Sequence, residues 1–450
     1  MTLKEDVGKP LLLTPYIRAG KIQEAQAASR VTNLTDVVSY SGFLTVNEKY
    51  GSNMFFWFFP AAFNPDKAPL LVWLQGGPGG SSLFGLFTEN GPFIIDRDNG
   101  VQFRNTAWTL THSVIYFDNP VGTVIYFDNP VGTGFSYTKS DTGYTRNETD
   151  VARDLYEALQ QFLRIFPEYR ERDFFVTGES YAGKYVPALS YKIHNENRKY
   201  PKQKINLKGM AIGDGFSDPV TMLNYGEYLY NIGLLDQNGK AHFDQEEDKA
   251  RKAILSGNYM DAFLTIDALL DGDLTPGGTS YFKNATGLDF YFNFLLTASP
   301  DDQNYYSSFV QLPSTRRSIH VGNVSYEDLG GKVEKFLRND MYQSVKPWIQ
   351  ELLDAPEQYQ ILMYSGQLDI IVASTLTDSF IRSMKWNGSG AFAQQPRKIW
   401  RVGKDIAGYA KTYGSLTQLI VRNAGHMVPY DQPKWSFDMI NRFTAGKLFA

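Results

Sequence analysis

No cysteine occurs anywhere in the 450-residue chain. Disulfides, thiol nucleophiles and cysteine-held metals are therefore excluded. This absence leans toward a reducing compartment. Five Asn-x-Ser/Thr sequons, at Asn33, Asn147, Asn284, Asn323 and Asn387, lean toward the secretory pathway instead. Histidine is scarce: His112, His194, His242, His320 and His426 are the full set, and no two have the His-x-x-x-His spacing of a local zinc motif. The sequence thus implies no metal and no cofactor. There is no basic block and the net charge is only −4, so nucleic acid has no electrostatic footprint. No apolar run approaches the ~20 residues of a membrane span. The opening Met1–Pro10 carries Lys4, Glu5, Asp6 and Lys9, unlike a secretory signal. The expectation is an intracellular protein or a chain from which a leader has been left off.

What is present is aromatic and apolar. Hydrophobic residues make up 43% and charged residues 20%, with 28 Tyr and 31 Phe, enough for a large core and an aromatic-lined cleft. The first third reads as strands: Ser41–Val46, Met54–Phe59 and Pro69–Leu74, the last running into a glycine loop. Asp150–Phe166 has helical spacing, with Val151, Leu155, Leu159, Phe162 and Phe166 on one face. Strand signals return at Asp173–Thr177, Ile205–Gly213, Gln360–Tyr364 and Leu416–Val421. Alternating strands and helices predict an α/β sheet with helices on both faces. Between 219 and 312 helical segments such as Lys249–Leu255 and Met260–Leu270 dominate. We therefore expect one core in two parts, 1–218 and 313–450, interrupted by a helical cap at 219–312. One oddity is a tandem repeat: Val114–Thr123 is copied without change as Val124–Thr133. Only the second copy leads directly into Gly134-Phe-Ser-Tyr137, so that copy is expected in the sheet and the first is expected to be displaced.

The chemistry concentrates in four loops. Gly178-Glu-Ser-Tyr-Ala-Gly183 follows a strand and precedes an apolar helical segment, limited or kinked in its first turns by Pro187. Small residues two before and two after Ser180 let the chain turn sharply and expose the hydroxyl, as in a nucleophile elbow. An ordinary glycine-rich turn is the competing reading. A serine nucleophile needs a base and a group that orients the base. Asp369 and His426 each sit just past a strand, in the order Ser, acid, His. Taken singly, each reads more readily as a turn aspartate or a surface histidine; the order and the strand-end positions together make them a triad candidate. The tetrahedral intermediate needs two N–H donors. One is Tyr181, next to the serine; the other should come from the turn Trp73-Leu-Gln-Gly-Gly-Pro-Gly-Gly-Ser-Ser82. A phosphate loop is excluded there, because no Gly-Lys-Ser/Thr ending follows and Pro78 removes a donor.

These segments, together with Asp128-Asn-Pro-Val-Gly-Thr-Gly-Phe-Ser-Tyr137, resemble the serine carboxypeptidase family, and most of all its vitellogenic carboxypeptidase-like branch. The resemblance spans roughly residues 11 to 448. It implies an α/β-hydrolase, a mostly parallel central sheet with helices on both faces and an inserted helical cap. It implies release of single C-terminal residues from peptide substrates at acidic pH. By motif position Ser180, Asp369 and His426 match the triad, and Gly77 and Tyr181 the oxyanion donors. Glu89 and Glu179 match two glutamates that share a proton and bind the substrate carboxylate, with Gln75 at the position of a family asparagine. Val372 and Met427 fall at positions near the pocket for the departing residue, where plain core packing competes as an explanation. The resemblance also implies a lysosomal, vacuolar or secreted setting and leaves room for a homodimer. Gly80 stands where many relatives carry a cysteine. Two other functions stay open: an esterase or acyltransferase on the same triad, and a catalytically silent partner protein.

Overall fold

The computed structural model describes residues 6–118, 133–328 and 331–449. Twelve strands appear among them. These are β1 (Tyr40–Asn47), β2 (Ser52–Phe59), β3 (Leu70–Leu74), β4 (Phe93–Ile95), β5 (Val101–Phe103), β6 (Ser113–Phe117), β7 (Phe174–Glu179), β8 (Leu207–Gly213), β9 (Gln360–Gly366), β10 (Lys398–Val402), β11 (Asp405–Tyr413) and β12 (Leu416–Val421). Strands β4 and β5 form a separate hairpin; the other ten follow the order β1-β2-β6-β3-β7-β8-β9-β12-β11-β10. The inner pairs β6–β3, β3–β7 and β9–β12 are parallel, and toward the two edges β1–β2, β2–β6, β12–β11 and β11–β10 are antiparallel. This is the mostly parallel sheet that the family resemblance implies.

The chain divides into two compact units: 1–178 with 189–209 and 301–335, and 179–188 with 210–300 and 336–450. Aromatic residues build the core of the first. All eight residues of β2 are buried, and Phe56 and Phe58 meet the ring of Phe162 edge-on at 5.8 and 4.9 Å. Phe162 lies on the helix Glu148–Ile165, whose predicted apolar face of Val151, Leu155, Leu159 and Phe162 is buried. Asn147 caps that helix by accepting the Asp150 N–H at 2.9 Å.

In the second unit the helix Ala182–Lys199 starts, and it runs straight through Pro187. Proline cannot bond the carbonyl four residues back. That carbonyl, of Gly183, instead accepts the Ser217 hydroxyl at 2.8 Å, which satisfies the acceptor that Pro187 leaves open. The elements of this unit between β8 and β9 are helical, including Gln237–Leu255 and Tyr259–Ile266.

The repeat departs from its expectation. The first copy fills β6, with Val114–Phe117 paired to β2 on one side and Val114–Tyr116 to β3 on the other. The upstream connection decides the register. Ser113 donates to the Pro69 carbonyl at 2.9 Å, and the turn at Trp108–Leu110 leads straight into the strand. Downstream, the Asp118 carboxylate accepts the Phe135 N–H at 2.9 Å and its carbonyl accepts the Ser136 hydroxyl at 2.6 Å. Apart from Thr133, the second copy lies outside the described residues.

Several buried carboxyls prefer their protonated form. Burial pushes Asp118 up to about 7, with the Asp328 charge adding to it. Burial likewise takes Glu247 to about 7. Such a group binds its proton more tightly folded than unfolded. It stabilises the fold below its unfolded pKa, and that stabilisation drains away as pH climbs to the folded value. His112, lowered by burial to about 4, acts oppositely and costs stability in acid. Raised carboxyls, with Asp154 at about 6 and Asp267 at about 8 beside Asp118 and Glu247, outnumber the two histidines that burial lowers, His112 and His320, between pH 5 and 8. Thermal melting should therefore give a Tm a few degrees higher at pH 5 than at pH 8, and Asp118→Asn should flatten that slope. A Tm that rises from pH 5 to 8 would contradict this balance.

Candidate active site

Four neighbouring strands end at one level. Ser180, just past β7, donates its N–H to the Gly213 carbonyl at the end of β8, 2.9 Å away. Asp214, the next residue, donates its N–H to the Tyr364 carbonyl of β9 at 2.8 Å. Gly366, the last residue of β9, pairs with Val421, the last residue of β12. Ser180, Asp214, Asp369 and His426 thus all follow strand carboxyl ends, where open α/β sheets place their ligands.

Ser180 is half-buried and has φ 65°, the left-handed region that a non-glycine residue rarely occupies. Its carbonyl accepts N–H groups from Gly183 at 2.9 Å and Phe216 at 3.0 Å, which hold the strained turn. A β-carbon at Gly183 would lie 2.5 Å from the Phe216 nitrogen, so only glycine fits the turn's close approach. Lys184, fully buried, sits 5.2 Å from the Tyr181 ring centroid and donates to the Met341 carbonyl at 3.1 Å and the Asp340 carboxylate at 3.2 Å. The first turn of the helix is thereby fixed beside Ser180.

His426 and Asp369 are brought together. The His426 Nδ1 lies 2.8 Å from Asp369 Oδ2, with both side chains buried. The same oxygen accepts the Val372 N–H at 3.2 Å. The imidazole Nε2 is buried with no hydrogen-bond partner among the described residues. An Nδ1–H committed to a carboxylate leaves Nε2 as the acceptor, which is the tautomer a general base needs. The Asp369 loop is braced by Leu368 N–H on the Ala424 carbonyl at 2.8 Å.

Sequence reasoning missed the segment 291–294. The Tyr291 carbonyl accepts Ile370 N–H at 3.1 Å, the Phe292 carbonyl accepts His426 N–H at 2.7 Å, and Phe294 N–H donates to the Leu368 carbonyl at 3.1 Å. The Phe292 ring also rests 4.8 Å from the imidazole. No motif announces these residues, because they act mainly through their backbone. Asp214, equally unforeseen, is fully buried and accepts the Gly366 N–H at 2.8 Å.

The remaining expected residues are placed as follows. In the first unit Gln75 follows β3, buried, with its side-chain carbonyl accepting the Trp73 indole N–H at 2.9 Å. Gly77 adopts φ 115°, open to glycine alone. Glu89 ends the short π-helical turn Gly85–Glu89 and is buried. In the second unit Glu179 is the last residue of β7 and fully buried, and Val372 and Met427 are both buried. A separate acidic cluster, Asp267, Asp271 and Asp273, has carboxylate oxygens within 4.8 Å of one another. Burial and its acidic neighbours push Asp267 up to about 8, so the cluster relieves its repulsion by holding a proton.

Comparison with known proteins agrees with this geometry. Residues 30–123 and 123–446 match the serine carboxypeptidase model of peptidase family S10, and the two segments meet where the first repeat copy ends. The chain is 50% identical over 453 residues to the probable serine carboxypeptidase CPVL of Homo sapiens, covering 99% of this chain and 92% of that protein. It is 49% identical over 449 residues to the venom serine carboxypeptidase of Apis mellifera, covering 99% and 93%. It is 46% identical over 442 residues to the vitellogenic carboxypeptidase of Aedes aegypti, covering 97% and 90%. Among solved structures, Kex1(delta)p, a prohormone-processing carboxypeptidase from Saccharomyces cerevisiae, superposes with a TM-score of 0.74 at 22% identity, covering 94% of this chain and 96% of that one. The strand order, the parallel centre and the loops at the strand ends are those of an α/β-hydrolase, and the chain belongs to the serine carboxypeptidase family, a serine-type peptide hydrolase.

Proposed function

We propose that Ser180, His426 and Asp369 act as nucleophile, base and orienting acid, releasing single hydrophobic residues from peptide C-termini at acidic pH. The observation that carries this reading is the buried 2.8 Å bond between His426 Nδ1 and Asp369, which leaves Nε2 to take a proton. Ser180 Oγ attacks the last peptide carbonyl while Nε2 accepts its proton. The N–H groups of Tyr181 and Gly77 receive the oxyanion. Nε2–H then protonates the leaving amine, the C–N bond breaks and the terminal amino acid departs. Water, activated by the same imidazole, cleaves the acyl-enzyme.

The free carboxylate of the substrate is what separates this reaction from ester hydrolysis. On the family pattern Glu89 and Glu179 hold one proton between them and, with the Gln75 amide, bind that carboxylate. The burial of both glutamates supports the reading, since a carboxyl shut away from water favours its protonated form. Val372 and Met427, buried beside the triad residues in sequence, line the pocket for an apolar departing side chain. The helical stretch at 219–312 serves as the cap over the core at 1–218 and 313–450. Exposed sequon asparagines at Asn33, Asn284, Asn323 and Asn387 support glycosylation and hence a secreted, lysosomal or vacuolar setting.

Three outcomes follow. Ser180→Ala should lose at least ~10³-fold in kcat, the scale of triad knockouts; hydrolysis near the parent rate would remove Ser180 from the mechanism. Digestion of a mixed peptide library should release Leu, Phe and Met ahead of Lys and Arg, and a basic preference would contradict the apolar pocket. Loss of the glutamate pair's proton sets two charges against the substrate's own. KM for a free-acid peptide should therefore climb from pH 5 to 7 while that for its C-terminal amide stays level. Glu89→Gln with Glu179→Gln should abolish the difference. A flat free-acid KM in the parent would sink the carboxyl-pair assignment.

A further inference from the structure

Two buried carboxylates meet behind the imidazole. A carboxylate oxygen of Asp214, one of Asp369 and a ring nitrogen of His426 lie within 4.8 Å of one another. Both aspartates are fully buried. Asp214 Oδ1 accepts the Gly366 N–H, and Asp369 Oδ2 accepts the His426 Nδ1–H and the Val372 N–H. The second oxygen of each, Asp214 Oδ2 and Asp369 Oδ1, receives no donor among the described residues. Two ionised carboxylates packed this closely away from water repel each other, and two bare buried oxygens add a desolvation cost. One proton between them removes both costs.

We propose that Asp214 is a positioning residue of the catalytic set, carrying a proton that it donates to Oδ1 of Asp369. The inference rests on the triad reading above. The proton belongs on Asp214 because Asp369 already accepts two donors, each favouring its charged form, whereas Asp214 accepts one. Burial and the neighbouring Asp369 charge raise the Asp214 carboxyl well above the ordinary aspartate range. The other groups facing the pair do not supply a competing proton. Asp431 is occupied by the Gly425 N–H and the Asn293 amide. The Tyr228 and Tyr225 hydroxyls donate to the Asp369 and Ile371 carbonyls.

The arrangement has a functional consequence. A carboxylate that accepts a third hydrogen bond is less basic, so it stabilises the imidazolium less. Were Asp214 ionised, a second negative charge beside the ring would hold the imidazolium proton and raise the pH needed for catalysis.

The rate of Ser180 labelling by a fluorophosphonate, followed against pH, reports His426 without involving the substrate-carboxylate site. In Asp214→Ala the acid limb should move up by about one pH unit and the maximal rate should fall roughly tenfold. Asp214→Asn places an amide N–H where the proton sat, and should restore both the limb and the rate. An infrared difference spectrum of parent minus Asp214→Asn should contain the C=O stretch of a protonated carboxyl. That measurement stands even if the alanine variant fails to fold. An acid limb unmoved in Asp214→Ala, an acid limb lowered in Asp214→Asn, or the absence of the infrared band would overturn the proposal. Failure of the parent to be labelled at Ser180 would overturn the triad reading instead, so the two failures are distinguishable.

Discussion

The hydrogen bond between His426 Nδ1 and Asp369 Oδ2 joins two loops that lie 57 residues apart in the chain. Local bonds, from the Val372 N–H to Asp369 and from the Gly425 N–H to Asp431, shape each loop but do not bring the two together. Their alignment comes from the register of β9 against β12, which pairs Gly366 with Val421 and starts both loops at the same height. A slip of one residue would turn one loop away from the other and separate the ring from its carboxylate. Glycine enforces the register. A β-carbon at Gly366 would lie 1.9 Å from the Gly425 carbonyl oxygen, so the His426 loop packs directly on the strand end. The segment 291–294 then ties the Asp369 and His426 loops together through backbone bonds to both. A pair held from three sides loses little further freedom when a substrate arrives, which is the preorganisation catalysis requires.

Different parts of this arrangement were legible to different degrees. Ser180, Asp369 and His426 stand out in the sequence because the chemistry demands those side chains and because small residues flank them for steric reasons. Buried strands such as β2 and β3 announce themselves through unbroken apolar runs. Strand β10 does not. Three of its five residues face water, so its pattern is weak. Tyr291, Phe292 and Phe294 contribute backbone groups that any residue type would supply, so composition could not mark them. Asp214 is a single aspartate after a strand, and its meaning arises only when Asp369 arrives from 155 residues further along.

The repeat shows a different limit. Two identical decapeptides have equal propensity for the strand, so no local rule can rank them. Downstream continuity favours the second copy, and upstream anchoring at Ser113 and Trp108 favours the first. The fold uses the first, because Asp118 closes the gap by bonding Phe135 and Ser136 across the intervening residues. Shifting β6, whose five residues are buried, would break the pairing with β2 on one side and β3 on the other. A tie in propensity was thus settled by which end of the repeat was already fixed.

Operation in acid, as proposed, would set opposing demands on the same few side chains. The base must be neutral, which fails as pH falls. The carboxyls proposed to meet the substrate's terminus must hold a proton, which fails as pH rises. The working range lies between the two, and each limit is set by burial and neighbouring charge rather than by residue type. A lone buried Asp–His pair would place the lower limit high, because a full carboxylate charge stabilises the imidazolium. Sharing that charge with a protonated neighbour lowers the limit without removing the orienting bond. The same logic extends beyond the site. Asp118 and Glu247 are buried carboxyls that favour their protonated form. A fold that stores protons on buried acids gains stability as the medium acidifies, the direction in which the proposed glutamate pair keeps its proton and opposite to the one that keeps the imidazole neutral.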